Sequence, residues 1–144
     1  MDETAITRHI TETFPDVDTV LAMGATFFFY NPQDGTPKDH RFPFATLVTG
    51  DEHDQFSDLN RPGVFRLNVG VSKQTFRSLF PAGEAAHDFT ALDKIMPHPV
   101  YGKMYWVSVL NPSAETFETV KPLLAEAYEI SAKRWVKPRP ANES

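Results

Sequence analysis

The sequence predicts a single α+β domain in which an antiparallel sheet carries its helices mainly on one face. Three observations support this. The segments read in the order helix, strands, helix, strand, helix, which is the order of an α+β chain. Residues Phe65, Leu67, Val69 and Val71 alternate strictly with Arg66, Asn68 and Gly70, as a strand with one buried face requires. The chain has 144 residues, 41% of them hydrophobic, which is one domain's worth. A chain of that size removes about two-thirds of its unfolded surface from water and needs no disulfide or metal to hold a core.

Taken in order, Ile6, Ile10 and Phe14 recur every four residues and place a short helix before Pro15. Val17, Thr19 and Leu21 alternate with Asp18 and Val20, and Thr26 to Tyr30 is an aromatic run suited to a strand. Met23-Gly24 between them reads as a hairpin turn. Asn31 to His40, with Asn-Pro, Asp-Gly and a second Pro, is a loop long enough to be mobile. Phe42 to Thr49 is apolar on both alternating sets, which predicts a central strand with Pro43 confined to its start. Pro62-Gly63 has the chemistry of a type II turn leading into the Phe65 strand. Ser72 caps a helix whose apolar face is Phe76, Leu79 and Phe80, stopped by Pro81 and Gly83. Thr90 to Asp93 matches a capping box and predicts one short helical turn. Met104 to Leu110 reads as a strand with Tyr105, Val107 and Val109 on one face and Trp106 and Ser108 on the other. The last helix spans about Ser113 to Arg134, and Pro122 predicts a kink within it or two helices in sequence.

Composition excludes several functions. There is no cysteine, hence no thiol catalysis, redox exchange or Cys-based zinc site. The start, MDETAITRHI, lacks the apolar core of a secretory signal, and no run spans a bilayer, so a soluble cytoplasmic protein is expected. The net charge of −5 argues against a surface that neutralises many phosphates. Residues 1–132, read as the domain, hold ten basic and eighteen acidic side chains, a balance of −8. Residues 133–144 hold Lys133, Arg134, Lys137, Arg139 and one acid, a balance of +3, and read as a basic, Pro-containing, extended tail. Nucleic-acid contact through that tail is one functional reading, and a solvated terminus is the simpler one.

Two stretches, RFPFATLVTGDEHD (Arg41 to Asp54) and RPGVFRLNVGVSKQTFRSLF (Arg61 to Phe80), resemble the signature of an uncharacterised bacterial domain-of-unknown-function family. His87 to Pro112 extends the resemblance over most of the chain. The second half, with its strand running into a helix (Phe65 to Phe80), its Trp106 strand and LLAEAYE (Leu123 to Glu129), resembles the YjbR/MmcQ-like proteins more distantly. That resemblance implies an α+β fold related to secretion-chaperone-like or double-wing domains, and no established activity. DNA binding has been suggested for YjbR-like proteins by analogy of fold, and this acidic body departs from it. No catalytic residue is carried over.

Two constellations can carry chemistry. On the sheet face opposite the Phe65–Val71 core, Arg66 and Asn68 share a side with Trp106 and Ser108 if their strands are neighbours. Arg supplies a fork of donors and Trp an apolar wall, a fit for a small anionic ligand. The same face is equally suited to being covered by a helix or a second copy of the chain, with Arg66 paired to an acid. Beside it, His98 sits between Pro97 and Pro99 in a stiff segment ahead of Tyr101, Lys103 and Trp106, which can present polar groups to a ligand or simply pack its rings. The second constellation is the Asp51-Glu52-His53-Asp54 run, whose oxygen and imidazole ligands can make a divalent-metal site with His87, Asp88 or His98, with Asp51, His53 and His87 or His98 as its leading ligands and no diagnostic ligand spacing. Acid-rich turns of this kind are ordinarily solvated loops. No nucleophile elbow or phosphate-cradling glycine loop is present. The leading expectation is therefore a small binding or interaction domain for a ligand or protein partner, and not an enzyme. A metal-assisted enzyme is the alternative, and no other cofactor is implied.

Overall fold

The computed structural model describes residues 1–32, 42–81 and 87–134. Most of the expected loop Asn31–His40, Gly83 and the tail beyond Arg134 lie outside the described residues. Helices α1 (Glu3–Thr13), α2 (Lys73–Leu79) and α3 (Ala114–Arg134) accompany strands β1 (Val17–Ala22), β2 (Ala25–Tyr30), β3 (Ala45–Val48), β4 (Arg66–Gly70), β5 (Met96–Pro97) and β6 (Trp106–Leu110). The strands form one sheet in the order β1-β2-β3-β4-β6-β5, with every neighbouring pair antiparallel. The chain is thus a single α+β domain.

Local chemistry sets the element ends. Asp2 accepts from Ala5 N–H at the start of α1, Ser72 from Thr75 N–H at α2, and Ser113 from Thr116 N–H at α3. Met23 and Gly24 both have positive φ (51° and 72°), the combination a two-residue hairpin turn needs to match strand twist. At Pro62-Gly63, Val64 N–H donates to Arg61 C=O and Gly63 takes φ 72°, the left-handed position a type II turn demands. Pro122 lies inside one continuous 21-residue helix, so the alternative of two helices is not what forms. Lys133 and Arg134 belong to the last turn of that helix.

The strand period of two sorts the sheet into two faces. Phe28, Ala45, Leu47, Leu67, Val69, Val107 and Val109 pack under the three helices, where they meet Ile6 and Ile10 of α1, Phe76 of α2 and Phe117, Val120, Leu124 and Tyr128 of α3. This is the main core. Tyr128 ties α3 down further, donating its hydroxyl to Pro15 C=O at 2.6 Å. On the opposite face a smaller cluster forms from Ala25, Val48, Leu59, Val64, Met96 and Leu110. Leu59 and Val64 come from the connection before β4, and Phe89 and Ala91, packed against the cluster, from the stretch before β5, so these loops take the place a helical layer occupies on the other side.

Two expectations are corrected. Thr90–Asp93 is not a helical turn. Asp88, two residues earlier, accepts from both Thr90 N–H and Thr90 Oγ, while Asp93 turns away to accept from Ser113 N–H at 2.7 Å. The acid that completes a capping box therefore serves another helix. The strand expected from Met104 begins instead at Trp106, because Gly102–Met104 form a 3₁₀ turn and Tyr105 adopts φ 66°. Positive φ is rare for a bulky residue, and here it sends Tyr105 toward the helix-side core while Trp106 faces the other way.

Candidate functional site

Antiparallel register places Thr46, Asn68 and Ser108 side by side across β3, β4 and β6, with Val48, Arg66 and Leu110 in the next row. These residues lie on the face away from the helices. They are buried nonetheless, with Arg66 1% and Asn68 2% exposed. Burying polar groups is tolerable only when they are hydrogen-bonded, and this row is. Asn68 Oδ1 accepts from Arg66 Nε (2.9 Å) and Ser108 Oγ (2.8 Å), and Asn68 Nδ2 donates to Thr46 Oγ1 at 2.9 Å. Because Arg66 Nε can only donate, the amide orientation of Asn68 is fixed by its partners.

Arg66 is paired. Its Nη1 donates to Asp54 Oδ1 (3.0 Å) and Ser57 Oγ (2.9 Å), and its Nη2 to Asp54 Oδ2 at 2.7 Å. The fork of donors that the sequence offers to an anionic ligand is thus taken up by a carboxylate of the same chain. Asp54 also accepts from Phe56 N–H. Burial raises its pKa, but the Arg66 hydrogen bonds and charge outweigh burial and hold it below the usual carboxylate value.

His98 stands beside this pair, 6% exposed. Its Nδ1 accepts from the backbone N–H groups of Val100 and Tyr101, each at 3.0 Å. Both partners are obligate donors, so Nδ1 is unprotonated and the ring proton sits on Nε2. Burial, reinforced by the Arg66 charge and opposed by Asp54, lowers the His98 pKa from 6.5 to about 3. The imidazole is neutral at physiological pH. The prolines on either side restrict its backbone, and His98 N–H and C=O bond to Trp106 and Gly102, closing a tight loop.

Between these polar groups and the flanking loops lies a cavity of about 380 Å³. Arg66, Asn68, Thr46, His53, Asp54 and His98 supply its polar lining, and the apolar walls include Phe27, Phe42, Tyr101, Met104 and Trp106. Gly70, opposite Trp106 in the register, makes room for the indole, since a Cβ there would stand 2.9 Å from Trp106 Cε2. Phe42, Tyr101 and Met104 are 80%, 52% and 64% exposed and form an apolar mouth.

Of the residues singled out in the sequence, Arg66, Asn68, His98, Tyr101 and Trp106 come together around this cavity, and His53 lines it as well. Lys103 does not line it and is exposed in the 3₁₀ turn. Thr46, Phe42 and Met104 are not singled out in the sequence, and Asp54 stands there only as one member of the Asp51–Asp54 run, with no link to Arg66. Alternation along β3 was the available signal for Thr46, and the acid run Asp51–Asp54 was the signal for Asp54.

Of the proposed metal ligands Asp51, His53, His87 and His98, only His53 and His98 line the cavity, and each is turned to a backbone partner. Asp51 accepts from Leu59 N–H, shaping the loop. His53 Nε2 bonds Met23 C=O at 3.1 Å, and its ring meets Phe27 at the cavity's edge. His87 packs against the rings of Phe80 and Phe89, and His98 has given Nδ1 to the backbone. Among the described residues no three His, Asp or Glu side chains are placed to hold a metal ion. No described helix is long and apolar enough to cross a membrane.

A model of a family of unknown function, DUF6194, matches residues 1–140, and the chain belongs to that family. No curated protein and no solved structure matches the chain.

Proposed function

We propose that this family member is a small-molecule binding domain whose ligand occupies the cavity on the helix-free face of the sheet. One observation carries the reading: a cavity of about 380 Å³ is lined by aromatic side chains and by a convergent set of buried polar groups. Ligand sites in general have that make-up, within about 300 to 1,000 Å³. Arg66, Asn68, His98, Tyr101 and Trp106 are the contact residues. Arg66 and Asn68 act from the strand as a pre-organised polar base, while Tyr101 and Trp106 supply apolar area at low entropic cost. Lys103 has a weaker place in this reading, as a charge near the mouth. The strand-to-helix step at Phe65–Phe80 and the neighbouring Trp106 strand also favour kinship with YjbR-like proteins as part of the proposal.

Native mass spectrometry of the untagged protein, set beside its denatured mass, tests the reading. An added small-molecule mass is expected in the wild type, and its occupancy is expected to fall in a Tyr101→Ala/Met104→Ala variant. Both substituted residues are exposed, so the fold should survive their truncation. An apo wild type that also fails to retain any aromatic compound added to it would sink the proposal.

A further inference from the structure

We infer that the cavity selects an uncharged, planar apolar molecule bearing a hydrogen-bond acceptor, of the class of aromatic ketones and amides, over the corresponding carboxylates and amines. The inference rests on the reading of the cavity as a small-molecule site and specifies what that site recognises.

Four buried side chains of the cavity, Asn68, Thr46, Arg66 and His98, have their free hydrogen-bonding capacity as donors, while the acceptors in the lining lie in the loop on one side, at Asp54, already holding three bonds, and at His53, whose Nε2 is turned to Met23 C=O. Asn68 Oδ1 already accepts from two groups, while Nδ2 donates to Thr46 alone and keeps a second N–H. Thr46 Oγ1 accepts that bond, and its own O–H has no acceptor among the described residues. Arg66 uses four of the five N–H groups a guanidinium carries, leaving one on Nη2. His98, with Nδ1 engaged twice, presents Nε2–H, again without an acceptor among the described residues. All four residues are at most 8% exposed and all line the cavity. Buried donors left unmatched are unfavourable, so a bound molecule gains by bringing an acceptor.

Charge and shape narrow the class further. Asp54 cancels Arg66 in a two-pronged pair, and His98 is neutral, so these buried groups together carry no net charge to attract an ion. A carboxylate would have to lie beside the Asp54 carboxylate and compete with it for Arg66. An ammonium would bring more donors to a site already rich in them, beside the Arg66 charge. A neutral carbonyl meets neither penalty, and the rings of Phe42, Tyr101 and Trp106 suit a flat apolar body.

Affinities of the full-length protein for four naphthalene compounds, measured by titration followed by NMR, test this directly. Acetylnaphthalene, the neutral acceptor, is expected to bind about tenfold or more tightly than naphthalene, naphthoate or naphthylmethylamine, the advantage one buried hydrogen bond confers. Thr46→Val, close to isosteric, is expected to narrow the gap between the ketone and naphthalene while leaving naphthalene's own affinity in place. Equal affinity for naphthalene and the ketone overturns acceptor recognition but leaves a small-molecule site. Tighter binding of naphthoate or the amine overturns neutrality. Failure of all four to bind overturns both this inference and the reading beneath it. The wild-type series decides the matter even if the variant does not fold.

Discussion

Arg66 and Asp54 face each other in a two-pronged ion pair, at 3.0 and 2.7 Å, with side-chain exposures of only 1% and 7%. A buried pair like this contributes modest net stability but makes each partner depend on the other. It also neutralises what would otherwise be the one strong charge on the helix-free face of β4, and so sets the chemistry of the cavity.

Removing one partner should therefore be far worse than removing both. Asp54→Ala, which strands the guanidinium, is expected to cost about 3–5 kcal/mol, whereas Arg66→Met/Asp54→Leu should recover most of the loss. Urea unfolding at pH 7 measures both. A loss below about 1 kcal/mol in the single variant would contradict a sealed pair.

Acid should destabilise the fold through His98 before it reaches the carboxylates. The folded-state pKa of about 3 lies below the ordinary 6.5, so between those values the unfolded chain binds a proton that the folded chain refuses. Stability is full above pH 6.5 and falls as pH drops across this window, by up to about 1.4 kcal/mol per unit, with no further loss from this group below about 3. His9, whose pKa is lowered by burial and by Lys121, adds a contribution of the same sign. Asp54, depressed from 3.8, contributes stability present above that value and lost as pH falls through its folded pKa. Thermal unfolding from pH 7.5 to 4 should show a shallower pH dependence in His98→Gln than in the wild type. Native-state NMR should find the His98 ring uncharged down to pH 5, and titration near 6.5 would refute the burial argument.

Gly70→Ala is expected to displace the Trp106 indole, because the new Cβ would sit 2.9 Å from the ring. The backbone can accept alanine here, since Gly70 is not among the positive-φ glycines. In a Trp135→Phe background, where Trp106 is the sole tryptophan, its emission maximum should move and affinity for an aromatic probe should fall. An unchanged spectrum and unchanged affinity would show that the indole does not depend on the glycine.

Tyr128→Phe provides a contrast on the opposite face. It removes the hydroxyl that bonds Pro15 C=O and should cost about 1 kcal/mol in urea unfolding, while probe affinity stays at the wild-type value. A large change in affinity would place the ligand elsewhere than on the helix-free face.

What the sequence reveals follows the range of the forces involved. The alternation of β4, the Ser72 cap and the Pro62-Gly63 turn are local, and each is legible because its residues act within a few positions of one another. Alternation also puts Arg66, Asn68, Ser108 and Trp106 on one face once β4 and β6 pair. The choice of Asp54 as the partner of Arg66 is not legible, because several acids in the same loop offer the same charge and only the loop's path selects one. The burial of Arg66 is hidden for the same reason, since loops rather than a helix or a second copy cover it. Thr90–Asp93 misleads because a capping box and an Asp that caps a distant helix share one local pattern. Strand β5 has only two residues, and its existence depends on pairing with β6.

The cavity between the second face of the sheet and the loops that cover it is proposed to bind a small molecule. Chemical-shift mapping with acetylnaphthalene on the full-length, isotope-labelled protein tests it most directly. Saturable shifts are expected at the Asn68 side-chain amide, the Trp106 indole N–H and the Tyr101 amide, with Ile6, Val120 and Leu124 unmoved. Absence of saturable shifts at the cavity, or shifts confined to the helix-side core, would contradict the proposal.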